Sequence, residues 1–173
     1  RFHVQKLALE ALQEIRIKHQ WEAMDFENQL ILQAKRENQT YIPELLANGD
    51  SVKQLLARSR YVPYKSREKW TENQNERAQL LFGLYPDIKT AYYLSQQLRG
   101  IYNSNNDKHI AMTKLAHWYR NVEESGFKNF NILLNTITFN YRSILNYFDN
   151  RSTNASAESF NAKIKAFRSQ FRG

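Results

Sequence analysis

Glu158 stands at the head of a row of amide and basic side chains near the C-terminal end of the sequence. Glu158, Asn161, Lys165, Arg168 and Arg172 recur every three or four residues, the spacing that puts side chains on one face of a helix. Phe160, Ile164, Phe167 and Phe171 repeat at the same interval on another side and form an apolar stripe. With Arg151 and Lys163 included, residues 151–173 hold five cations against one acid, a net +4 within the chain's +8. A carboxylate heading a cationic track suits a metal-assisted site beside a phosphate backbone. The acid offers an oxygen ligand to a metal ion, and the cations hold the strand. A surface helix with a solvated charged face has the same pattern, and spacing alone leaves both readings open.

A second basic area surrounds Pro63. Arg58, Arg60, Lys65, Arg67 and Lys69 lie among Tyr61, Tyr64 and Trp70. Cations for phosphates and rings for stacking are the usual means of gripping nucleic acid. The plainer alternative is a solvated loop whose aromatics anchor it to the core.

Other chemistry finds little support. His3, His19, His109 and His117 form no metal-ligand pair at motif spacing, which favours structural or surface roles. Five glycines are scattered singly, so no phosphate-cradling loop exists, and no serine nucleophile elbow occurs. With no cysteine, disulfides, thiolate zinc sites and cysteine nucleophiles are excluded, and a reducing cytosol fits. The balance of 25 Lys and Arg against 17 Asp and Glu favours an anionic partner, nucleic acid above all. No apolar run reaches the length of about 20 residues that spans a bilayer.

The elements that must position these residues read as helices throughout. Only four valines occur, and no segment alternates apolar and polar residues convincingly. A long helix is expected from His3 to about Arg36, with Leu7, Ala8, Ala11, Leu12 and Ile15 inward and Trp21, Met24 and Ile31 continuing an apolar side. A short helix over Ser51–Arg60 follows the Asn48-Gly49-Asp50 turn, and Pro63 interrupts the pattern. Thr71 caps a helix to Leu84, and Pro86 suits the first turn of the next, which runs to Tyr102. Asp107 caps a helix carrying Ala111, Leu115, Trp118, Tyr119 and Val122, which ends at Ser125-Gly126. Phe130 to Phe148 keeps the clearest apolar repeat and belongs in the core. Core packing is also the expected role of Trp21, Trp70 and Trp118. The fold class is all-α, with about seven helices.

The two ends of the chain carry a resemblance. Thr153, Asn154, Glu158, Asn161, Lys163, Ile164 and Lys165, within RSTNASAESFNAKIKAFRSQFRG, resemble the C-terminal motif of DDE transposases of bacterial insertion sequences, in the group called ISL-three. RFHVQKL at the start resembles the segment directly after that family's second catalytic Asp. LLFGLYPDIKTAYYLSQQLR and LAHWYRNVEESGFKNF resemble the helical insertion between that Asp and the Glu. The likeness therefore extends over essentially the whole chain.

The resemblance implies specific roles. Glu158 matches the third catalytic, metal-binding acid of a ribonuclease H-like core. There, two Mg²⁺ (or Mn²⁺) ions serve phosphodiester hydrolysis and strand transfer at insertion-sequence ends. Residues 1–150 correspond to the helical insertion, and 151–173 to the core helix that bears the Glu. Asn161, Lys163, Lys165, Arg168 and Arg172 are the expected DNA contacts beside it, joined by Arg58, Arg60, Lys65, Arg67 and Lys69. DNA of the insertion-sequence ends and target is the implied partner, the active parent is expected to be a cytoplasmic homo-oligomer, and no membrane is involved. Both catalytic Asp residues would precede Arg1, so this fragment is expected to be inactive and to hold no metal. Asp25, Asp50, Asp87, Asp107 and Asp149 follow no strand-like run, and Asp87, Asp107 and Asp149 read as caps or turn residues. Two alternatives stand beside this reading: a non-catalytic helical nucleic-acid-binding module, and a helical protein–protein scaffold that leaves the charge unused.

Overall fold

Capping chemistry sets where most of the helices begin and end. The structure, a computed structural model, describes residues 2–104, 107–146, 148 and 162–166. Within them lie α1 (Phe2–Arg36), α2 (Val52–Arg58), α3 (Glu72–Leu84), α4 (Pro86–Asn103), α5 (Lys108–Ser125) and α6 (Asn131–Asn146). Short 3-10 turns occupy Ser59–Tyr64, Arg67–Lys69 and Lys128–Phe130, residues 162–166 are helical, and no strand occurs among the described residues. The all-α expectation of about seven helices agrees with this.

Two helices start at reciprocal capping boxes, in which a hydroxyl and a glutamine satisfy two backbone donors that the helix leaves unpaired. Ser51 Oγ accepts from Gln54 N at 3.3 Å, and Gln54 Oε1 accepts from Ser51 N at 3.0 Å. Thr71 and Gln74 repeat the arrangement at 3.3 and 3.2 Å. Asp107 Oδ1 caps α5 by accepting from Ile110 N at 3.0 Å. Gly126 closes that helix in the left-handed region at φ 69°, where only a residue without Cβ sits at no cost.

The chain forms two compact units. One comprises Arg1–Ala11 with Thr90–Gly173, and the other comprises Leu12–Lys89. The boundary expected at 150/151 lies outside the described residues, as does Asp149. In the first unit, Val4 and Ala8 of α1, Leu98 of α4, Leu115 and Trp118 of α5, and Leu133 and Ile137 of α6 are buried. Trp118 donates its indole N–H to Leu94 O at 2.7 Å, so the largest core side chain leaves no donor unsatisfied. Phe130, Leu133, Leu134, Ile137, Ile144 and Leu145 are all buried, which places the strongest apolar repeat in the core as expected.

In the second unit, Leu12, Leu55, Leu56, Val62, Leu81 and Ile88 form the apolar centre. The expectations for Trp21 and Ile31 need correction there. Trp21 is 60% exposed and Ile31 41% exposed, so the second half of α1 does not continue a buried stripe. Its apolar residues drift around the helix, and the facing residues 37–50 are irregular, so they build no continuous wall against it. Pro63 falls where the α-helical pattern is interrupted, as expected, since α2 ends at Arg58 and the next α-helix begins at Glu72. It lies inside the 3-10 turn Ser59–Tyr64, and both Val62 and Pro63 are buried.

Candidate nucleic-acid interface

The basic segment after α2 is held in shape by contacts that leave several of its cations facing water. Trp70 donates its indole N–H to Val62 O at 3.1 Å, and its ring meets that of Phe82 at a centroid distance of 6.1 Å. Trp70 is therefore the anchor of this turn. Tyr61 and Tyr64, by contrast, are 53% and 50% exposed. Gln13 Nε2 donates to Arg60 O at 2.6 Å, and Gln13 Oε1 accepts from Arg16 Nε at 2.7 Å. Arg16 is itself buried and donates through Nη1 to Leu56 O at 2.7 Å; burial lowers its pKa, with Tyr64 raising it and Arg60 lowering it. A buried arginine thus orients the glutamine that fixes the backbone at Arg60.

The five basic residues of this segment divide by use. Arg58 pairs with the 1% exposed carboxylate of Asp50, whose other oxygen takes Arg77 Nε at 3.0 Å. Burial opposes ionisation of Asp50, but the hydrogen bonds from Arg77 and Arg58 outweigh it and hold the carboxyl below the usual range. Arg58 therefore contributes to the interior of this unit as well as to its charge. Lys65 Nζ donates to Gln74 Oε1 at 3.2 Å, tying the turn to the capping box of α3. Arg60 lies over the Tyr61 ring at 4.4 Å and also reaches its hydroxyl, giving an exposed stacked pair. Arg67 and Lys69 are exposed on the second 3-10 turn, with Glu68 between them. The backbone N–H of Glu68 and the Ser66 hydroxyl hold that carboxyl below its usual range. The surface therefore consists of Arg60, Tyr61, Arg67 and Lys69, with one acid set within it.

Of the C-terminal candidates, Glu158, Asn161, Arg168 and Arg172 lie outside the described residues, and with them Thr153, Asn154, Phe160, Phe167 and Phe171. Lys163 donates to Thr113 Oγ1 at 2.6 Å, Ile164 is buried at 7% exposure, and Lys165 is exposed. Neighbouring lysines on 162–166 thus have different uses: Lys163 fastens the segment to α5, and Lys165 presents its charge outward.

Sequence reasoning missed Gln13, Arg16 and Glu68, and the buried pairing of Asp50 with Arg58 and Arg77. Only Glu68 carried a local signal, as an acid between two cations. Two further aspartates have structural partners. Asp107 caps α5, and Asp87 accepts from Ile88 N at 2.8 Å and meets His19 Nε2 at 2.5 Å. His19 Nδ1 lies 2.9 Å from Glu22 Oε2, so the one largely buried imidazole described is held by two acids on its own unit. Among the described residues no group of three or more His, Asp or Glu could hold a metal ion. The described residues therefore do not provide the Mg²⁺ site that the resemblance implies, and its one acid from this chain, Glu158, lies outside them.

The described residues are thus helical, with a pinned turn that presents Arg60, Tyr61, Arg67 and Lys69 to solvent. The DDE transposase family of the ISL-three group, described as Transposase, matches residues 1–173, and the chain belongs to that family. DNA is the partner that membership implies. No curated protein and no solved structure matches the chain. No helix among the described residues is long and apolar enough to cross a membrane.

Proposed function

We propose that these residues are the helical insertion and the Glu-bearing helix of a bacterial insertion-sequence transposase, acting in the cytoplasm as a homo-oligomer. The family match over residues 1–173 is the observation that carries this reading. Glu158 supplies one ligand to a pair of Mg²⁺ ions, with two Asp residues outside these 173 residues as the others. When bound, such metals stabilise the attacking and leaving oxygens of a phosphodiester during strand cleavage and joining. The residues of this chain hold the DNA: Arg60, Arg67 and Lys69 take phosphates, Tyr61 offers a stacking face, and Lys165, Asn161, Arg168 and Arg172 extend the grip beside Glu158. Lys65 and Arg58 add charge while bound to Gln74 and Asp50, and Lys163 does so while bound to Thr113.

These 173 residues alone are expected to be inert. Asp50 and Asp87 are held by Arg77, Arg58 and His19, and Asp107 is spent on a helix cap. The test uses cognate end DNA with Mg²⁺. In the full-length transposase, Glu158→Gln should abolish cleavage and leave DNA binding nearly intact, and the isolated chain should bind DNA without nicking it. Undiminished cleavage by the full-length variant would remove Glu158 from the mechanism. Nicking by the isolated chain would overturn its inertness.

A further inference from the structure

The Leu12–Lys89 unit contains a cavity of about 500 Å³, within the size range of ligand pockets. One face of α1, the residues Tyr41, Ile42 and Glu44, the start of α2 and Tyr85 line it. Its walls are mainly apolar, with Phe26, Leu30, Tyr41 and Tyr85 among them. Three carboxylates, Glu22, Glu27 and Glu44, share it with a single cation, Lys53, which is ion-paired to Glu27. An acidic, aromatic cavity in a chain of net charge +8 is not a place for a nucleic-acid backbone.

We propose that this cavity docks a basic, apolar segment of a partner protein, receiving one lysine side chain between its aromatic walls and the Glu44 carboxylate. Charge complementarity selects the occupant. Lys53 offsets Glu27, and Lys18 and His19 hold Glu22, which leaves Glu44 as the lining carboxylate to which no ion pair occurs among the described residues. Burial raises the pKa of the Tyr85 hydroxyl, and Glu22 and Asp87 raise it further. Phenol and phenyl faces attract an ammonium group, the more so once it leaves water. The mouth of the cavity argues for a polypeptide over a free amine. Phe26 and Ile42 line it yet remain 63% and 81% exposed, an apolar shoulder that a small solvated cation would leave uncovered. Glu22, Phe26 and Leu30 recur at four-residue spacing on α1, so the shoulder and the acid belong to one helical face.

The test is fluorescence anisotropy with a labelled helical peptide of leucine and alanine bearing one central lysine. It is compared with the same peptide carrying glutamate or norleucine at that position. The lysine peptide should bind the intact chain, and the glutamate and norleucine peptides should bind about tenfold more weakly. Glu44→Lys, at an exposed position, should abolish the preference for lysine. Ile42→Ser should weaken all three peptides, and both variants should retain the parent's thermal unfolding profile. Equal binding of the three peptides would overturn the proposal, as would a lysine preference that survives Glu44→Lys. Displacement of the peptide by an equal concentration of n-butylammonium would assign the cavity to a free amine and overturn the polypeptide occupant.

Discussion

Asp50 is almost fully enclosed, yet it is ionised, because two arginines eight and 27 residues away along the chain converge on it. Its folded pKa lies below the value of about 3.9 expected of an unfolded aspartate. The stability this linkage provides is therefore fully present above the unfolded value and is lost as pH falls through the lower folded one. Asp50→Asn should cost about 2 kcal/mol at neutral pH, the scale of losing charge-assisted hydrogen bonds. In urea melts, the gap between parent and variant should narrow steadily as pH drops below about 4. A gap independent of pH would mean that the carboxylate charge contributes nothing. None of this was legible in the sequence, where Asn48-Gly49-Asp50 reads as a turn and Arg58 as one of five equivalent cations. The pairing depends on where α3 places Arg77, and no local spacing encodes that.

At the scale of elements, the sequence was far more informative, and the reason is physical. A cap acts over three or four residues, so Thr71, Asp107, Pro86 and Gly126 mark helix ends in the sequence much as they do in the structure. Apolar periodicity failed where it depended on a partner: Trp21 and Ile31 have the spacing of a core face but lack a regular element to cover them. Gly126 tests the cap logic. A Cβ built there meets nothing within 4 Å, so any penalty of Gly126→Ala is conformational. A loss of about 1 kcal/mol in thermal or denaturant unfolding is expected, and Gly126→Asn should lose less, because asparagine visits the left-handed region more readily. Equal stability of all three proteins would show that α5 does not depend on this terminus.

For the whole molecule, the +8 charge makes DNA affinity a function of salt, and the slope counts phosphate contacts. If Arg60, Arg67 and Lys69 each hold one phosphate, replacing all three with alanine should reduce the slope of log K against log salt by about 3. An unchanged slope from filter-binding titrations would move the interface away from this turn. The same turn has a further property, set by its frame. Capping boxes at Ser51–Gln54 and Thr71–Gln74 bracket it, and each closes over only three residues. Closing so short a loop consumes little chain entropy, whereas joining Asp50 to Arg77 spans 27 residues. In kinetic terms, the helix starts on either side of the cationic turn can form while the chain is still largely open. The pair that joins Asp50 to Arg77 is expected to arrive later, onto a frame already laid out by its nearest neighbours.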